Sequence, residues 1–333
     1  MNSTFEATDY LQSEAPDLAV LRQSKQYCND KMIDIEVFYT QTSYLPSLYG
    51  KFNRLNSTLN QAHTRLRDGT QRLQYDLDSQ ANVLRGYLKE LAESSDDTER
   101  LEILADAAKE MNAVLKSTRN EASTLAASLL SISEPFERTS TLRNLLGFNT
   151  ELERLPEEIQ EIEASRAKVE AERATLTAAI NAIESKGFGA IAQDAILTGE
   201  KIAALGPTPP EAAVIALALD LLKQSLDKLD ASLNFLGLIR MRDVLRERSN
   251  AYAAALRDKQ LELGAVGRRI SLIDAAHLFD DELQTYKREY SKVVDAVRAY
   301  EARFNRMSTV DEFTAQAFIA DTTALAAYLR PIR

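Results

Sequence analysis

The chain has one cysteine, Cys28, which excludes an intrachain disulfide and any cysteine-based zinc site. A lone thiol of this kind is expected to serve as a small buried side chain. Tryptophan is absent, and 333 residues include only eleven glycines and eight prolines. So few turn formers, with Ala, Leu, Glu, Arg, Asp and Lys plentiful, imply a mostly helical chain. Basic residues are not in excess. The net charge is −10 with Lys and Arg scattered, which argues against a nucleic acid held by phosphate contacts and gives no gross attraction to anionic lipid. Apolar runs are short, and none reaches the ~18 to 20 residues of a lipid-spanning helix. The first residues, "MNSTFEATDYLQSEAPDL", place acids where a secretory signal needs a basic start and an apolar run. The expectation is a soluble protein, secreted without a cleavable signal peptide.

Catalytic groupings are scarce as well. His63 and His277 have no ligand-spaced partner, so surface or packing roles are expected and no metal site. The string "GFGAIA" at Gly187 resembles half of a dinucleotide fingerprint, but no strand precedes it and the third glycine is missing. "ESSDD" and "FDDE" read as solvated turn or cap residues, and the "NST" strings at Asn2 and Asn56 carry no weight alone. No cofactor is implied, and an enzyme is disfavoured.

Helical periodicity runs nearly throughout, whereas alternation of the strand type is rare. Breaks are expected at Pro46 to Gly50, Glu93 to Asp97, around Pro135, at Gly147 to Asn149 and at Gly206 to Pro210. From Pro156 onward, Ile162, Val169, Leu176 and Ile183 recur every seven residues, with Ile159 and Ile180 on the adjoining row, although Arg166 and Arg173 interrupt it. Beyond the last break, Ala212, Ile215, Leu219, Leu222, Leu226, Leu229, Leu233 and Leu236 keep a 3-4 spacing without error. The break between these patterns carries its own signals. Gly206 suits a left-handed helix end, Thr208 an N-cap, Pro209 the first helical turn, and Glu211 the partner in a capping box. Two antiparallel arms follow, ~75 Å for Pro156 to Leu205 and ~100 Å for Pro209 to Ala275 if each is unbroken. The expected fold is all-α, an elongated bundle of long coiled-coil-like helices with an inserted apolar hairpin. Gly264 and Gly267 are candidate bends in the second arm, and the tail "FTAQAFIADTTALAAYL" is expected to dock on the bundle.

The hairpin is the candidate site. Ala212 to Leu219 is the longest unbroken apolar run, and Asp220 follows it at once. A helix apolar on every side is either deeply buried or suited to lipid, and Ala-rich stretches of this kind also pack inside bundles. Glu211 to Leu222 would cover only ~18 Å of a hydrocarbon core ~30 Å thick. Asp194, Glu200, Lys201 and Asp220 would be costly facing lipid but tolerable lining water. Both facts favour a ring of amphipathic hairpins over a solitary span.

An apolar hairpin, Gly187 to Ile239 with "GPTPP" at its turn, set midway in a long all-helical chain, resembles the α-helical pore-forming toxins of the cytolysin A superfamily. Within that group it is most similar to the B component of α-xenorhabdolysin-type binary cytotoxins. The resemblance implies a soluble monomer that joins a second, A-type component on a target-cell bilayer and becomes a ring oligomer. It implies a bundle body, 1–186 and 240–333, and a membrane-entering hairpin, 187–239. The entering residues would be Phe188, Ile191, Ile196, Leu197, Ile202 and Leu205 on the first arm. On the second they would be Ala212, Val214, Ile215, Leu217, Leu219, Leu221 and Leu222, with Gly206, Pro207, Thr208, Pro209 and Pro210 forming the turn. The competing reading is a cytoplasmic coiled-coil scaffold whose 212–236 stripe binds a partner helix and never meets lipid.

Overall fold

The computed structural model describes residues 15–187, 196–225, 233–304 and 310–332. Within these the chain is all-α, with eight helices: α1 (Leu18–Thr42), α2 (Pro46–Glu93), α3 (Asp97–Ser131), α4 (Arg138–Ser185), α5 (Gly199–Ala204), α6 (Pro209–Ser225), α7 (Phe235–Phe304) and α8 (Glu312–Leu329). Non-helical pairing among the described residues is one isolated antiparallel bridge, Ile196 with Asn234. The chain divides into two compact units, one of Met1–Arg143 with Arg269–Arg333, the other of Asn144–Arg268.

The first unit rests on a long seam. On α2, Phe52, Leu55, Leu59, Ala62 and Leu66 are buried at 3-4 spacing, and Leu73, Leu77 and Leu84 carry the row onward. Such spacing keeps one stripe of a helix against its neighbours. The same core holds Phe279, Tyr286, Tyr290, Tyr300 and Phe304 of α7. The aromatic tail docks as expected, with Phe318, Ile319, Leu325 and Leu329 of α8 buried in that cluster. Edge-on ring pairs knit the core: Phe52 with Phe279 at 5.1 Å and Phe304 with Phe318 at 4.8 Å between centroids.

Polar ties then fix the helices against each other. Arg138 donates to Asp280 and Asp281, each at 2.5 Å. Ser24 donates to Glu282 at 2.5 Å, and Arg303 pairs with the fully buried Asp321 at 2.9 Å. Burial pushes the Asp321 carboxyl up to about 6, against the pull of Arg303. Cys28 is fully buried with its sulfur 3.6 Å from the Phe279 carbonyl oxygen, and burial raises its thiol pKa. Both histidines have packing roles. His63 Nδ1 lies 3.2 Å from the Tyr286 hydroxyl, and its pKa is pushed down to about 4 by burial and then by Lys25, Arg67 and Arg22. His277 Nε2 lies 2.8 Å from the Thr141 hydroxyl.

Several expected boundaries move. Pro46 is the first residue of α2 rather than part of a break, because a proline lacks only an N–H that the first turn leaves unpaired. The connection is 43–45, where Ser43 and Leu45 both take φ of +50°. Helix α4 begins at Arg138 and runs through both Gly147–Asn149 and Pro156. An internal glycine costs a helix only about 1 kcal/mol. The proline forfeits one backbone bond, and its neighbour Leu155 is fully buried. Helix α7 likewise continues through Gly264 and Gly267, between which Val266 is buried. Its 70 residues amount to about 105 Å. The breaks at 94–96 and 132–137 stand where the sequence puts them.

The second unit has its own core. Val169, Leu176, Ile180 and Ile183 of α4, the residues of the heptad row and its neighbour, meet Leu238, Met241 and Leu245 of α7. Lys259 bridges to Glu158 at 2.9 Å, and Ser249 donates to Glu170.

Candidate functional site

The two arms are not continuous helices. Helix α4 stops at Ser185, where the Gly187 N–H donates to the Glu184 carbonyl at 2.9 Å and Gly187 takes φ of +75°. Glycine adopts that left-handed conformation without the Cβ penalty of other residues, so it ends helices readily. The signal was visible in "SKGFG" and is easily passed over as half of a nucleotide fingerprint. The second arm is interrupted as well, since α6 is described as far as Ser225 and residues 233–234 are not helical. Helix α7 then starts afresh from Asn234, whose side chain accepts from the Gly237 N–H at 2.8 Å. An asparagine cap thus sits inside the row of leucines, and a 3-4 spacing does not register it because periodicity reports a face and not continuity. Phe188, Ile191, Leu226 and Leu229 lie outside the described residues.

Between these stops the hairpin is short and sharply turned. Leu197 donates its N–H to the Leu233 carbonyl at 2.8 Å beside the Ile196–Asn234 bridge, which ties the base of the first arm to the approach to α7. Thr198 caps the six-residue α5. Gly206 takes φ of +58° at the turn, as its position after a helix requires. Glu211 supplies one half of the expected capping box, accepting from the Thr208 N–H at 2.6 Å and from its hydroxyl at 2.9 Å. Those two donors, the backbone one first, hold the Glu211 carboxyl below its ordinary range, and Lys186 adds to the effect from 3.6 Å.

The apolar residues split between two faces. Ile215, Ala218, Leu219 and Leu222 are buried against the α4 and α7 core, joined by Leu197 from the first arm. Ile202, Leu205, Ala212, Val214 and Leu221 are half-buried. Ala213, Ala216 and Leu217 face outward, with Leu217 55 % exposed and Ile196 59 % exposed. At the turn, Gly206, Thr208, Pro209 and Pro210 are exposed and Pro207 is half-buried. The all-round apolar segment therefore has one covered face and one open one. Of the described residues of the 212–236 stripe, Ile215, Leu219 and Leu222 are buried, and Ala212, Leu233 and Leu236 are half-buried.

Charge follows the open side. Glu200, Lys201 and Asp220 are exposed, and Lys223 pairs with Asp220 at 3.4 Å. Among the described residues, only two polar links join 196–225 to the rest of its unit, the Lys186–Glu211 pair and the Leu197–Leu233 backbone bond. No helix, among the described residues, is long and apolar enough to cross a membrane. Nor do the described residues contain a cluster of metal-ligating side chains.

No family model and no curated protein matches the sequence. Solved structures do. PaxB from Photorhabdus luminescens superposes with a TM-score of 0.73 at 18 % identity, over 92 % of this chain and 96 % of that one. XaxB from Xenorhabdus nematophila gives 0.73 at 16 %, over 92 % and 98 %. A chain of the XaxAB pore complex from the same organism gives 0.61 at 15 %, over 92 % and 97 %. The fold of this chain, across nearly its whole length, is therefore the all-α fold of PaxB and XaxB.

Proposed function

We propose that the chain is one subunit of a binary pore-forming cytotoxin, soluble at first and then assembled with a second, A-type component into a ring on a target-cell membrane. In this reading 1–186 and 240–333 form the body, and the hairpin 187–239 leaves its shelter to perforate the bilayer. The observation that carries it is the hairpin itself. An apolar segment covered on one face, and joined to its unit by two polar links among the described residues, sits in a fold similar to that of a chain from a pore complex.

The dimensions suit a ring. The 17 residues of α6 would rise about 26 Å, short of a hydrocarbon core ~30 Å thick, so one copy spans poorly. Exposed Glu200, Lys201 and Asp220 are tolerable where a ring encloses water. Release exchanges one apolar shelter, α4 and α7, for another, lipid or neighbouring hairpins. Such an exchange needs packings that differ by only a few kcal/mol.

Dye leakage from erythrocytes or liposomes tests the reading, with this protein alone and with candidate second components. Leu217→Lys is the informative variant. Its side chain is already exposed, so the soluble fold should keep its stability within about 0.5 kcal/mol while leakage is abolished. Ile215→Lys would not discriminate, because Ile215 is 1 % exposed and the charge would disrupt the soluble core. Unchanged leakage from Leu217→Lys removes the hairpin from the mechanism.

A further inference from the structure

Asp321 is out of place on α8. The buried side of that helix carries Phe318, Ile319, Leu325 and Leu329, yet a carboxylate stands in the same row with no surface open to water. Neither of its oxygens has a hydrogen-bond partner among the described residues. Its ion-pair partner is Arg303 of α7, whose Nε lies 2.9 Å from Oδ2, near enough for a hydrogen bond but off the line that one needs. The hydroxyls beside it do not help. Thr322 donates to the Phe318 carbonyl at 2.7 Å, and Tyr300 donates to Thr322 at 2.7 Å.

Glu289 of α7 shows the contrast within the same unit. It is also buried, but it accepts from the Asp17 N–H at 2.9 Å and pairs with Lys292 at 2.9 Å, so that in spite of burial its carboxyl is held below the ordinary range. Asp321 has no such set of donors. Helix α8 packs against α2 and α3 as well as α7, and the charged groups along it are engaged elsewhere. Arg85 of α2 donates to Thr323 at 2.8 Å, Arg330 meets Asp78 of α2 at 3.1 Å, and Arg100 of α3 meets Glu312 at 3.3 Å. Glu301 of α7 pairs with Arg119 of α3 at 2.6 Å. Among the described residues, Arg303 is the charge that acts on Asp321.

A sealed carboxylate with one misaligned partner is disfavoured when ionised and tolerated when protonated, whereas the same group in water has no such preference. We propose that Asp321 and Arg303 form a pH-sensitive clasp, in which docking of α8 against α7 takes up a proton at Asp321. Acid tightens α8. Neutral or alkaline pH loosens it without changing its place in the core. Because burial lifts the docked carboxyl from 3.8 to about 6 against the pull of Arg303, its contribution is fully present below 3.8 and is lost as pH rises through about 6. Both partners belong to the first unit, so the clasp is independent of the hairpin and of any membrane.

The test is hydrogen exchange of the full chain in solution, read on the amides of α8 and corrected for the intrinsic pH dependence of exchange. Protection in α8 should be about tenfold higher at pH 5 than at pH 7.5. Asp321→Asn keeps the shape and removes the titration, so this gradient should vanish from α8 while the rest of the unit keeps its own. Arg303→Gln removes the opposing cation, which should steepen the gradient over the same range. If Asp321→Asn does not fold, the steepening in Arg303→Gln decides alone. A gradient that is absent from α8, that persists in Asp321→Asn, or that Arg303→Gln leaves unchanged would show a static buried pair only and overturn the proposal.

Discussion

The two units bury apolar surface in different ways. In the first, large rings interlock, and Tyr286, Tyr290, Tyr300, Phe52, Phe279 and Phe318 are almost wholly inaccessible. Polar ties such as Arg138 to Asp280 and Arg303 to Asp321 add a register that a sliding helix would have to break. In the second, the described core is mostly aliphatic, with Phe235 its one buried ring and the half-buried Tyr252 against it, and among the described residues the hairpin lies on it with few directional contacts. Aliphatic packing is non-directional, so one greasy surface can replace another at little cost. Interlocked rings and buried ion pairs have no such freedom. The first unit is built to keep one arrangement, whereas in the proposed mechanism the hairpin of the second gives up its own.

Substitutions can break this contrast. The largest effect is expected from Phe279→Ala, which removes a ring at the centre of the first core and should cost about 3–5 kcal/mol in chemical denaturation. Leu222→Ala should cost less, about 2–3 kcal/mol, because the hairpin can settle into the space left behind. Hydrogen exchange should confine that loss to the second unit. Equal costs, or protection lost in both units, would erase the distinction.

A smaller effect tests the link at the turn. Glu211→Gln keeps an acceptor for Thr208 but removes the charge that pairs with Lys186. Global stability should hold, and leakage in the presence of the second component should begin sooner. The same link is sensitive to pH. The folded-state pKa of Glu211 is lowered, so its contribution is present above the ordinary glutamate value of 4.5 and is lost as pH falls below it. Acidification of the wild type should therefore hasten hairpin exposure, and the Gln variant should show a flatter profile. A profile that Glu211→Gln leaves untouched would assign the pH response elsewhere.

Much of this was legible in the sequence, for stated reasons. The 3-4 spacing reports which side of a helix is buried, and Ile215, Leu219 and Leu222 are buried on that account, as are Val169, Leu176 and Ile183 facing them. The Gly206 turn and the docked tail follow from equally local signals. What the spacing could not report is where a helix stops. Gly187 and Asn234 each end or restart an arm within an uninterrupted apolar rhythm, so two long arms were expected where shorter helices stand. Conversely, Pro156 and Gly147 do not break α4, because their local penalties are outweighed by packing along the helix. The split of the hairpin into a covered and an open face was out of reach, because a segment apolar on every side has no polar face to set its orientation.

In the proposed mechanism the hairpin leaves its shelter before the protein acts. Lys186, at the end of the body, and Glu211, in the hairpin, pair at 3.6 Å, so cysteines at these two positions stand within reach of a short, reducible bis-maleimide. Lys186→Cys with Glu211→Cys, crosslinked and confirmed by mass spectrometry, would hold α6 at the end of α4. Cys28 should not interfere, being fully buried with its thiol held protonated. Leakage with the second component should be absent in the crosslinked protein and restored on reduction. Full leakage with the crosslink intact would show that the hairpin need not leave its shelter.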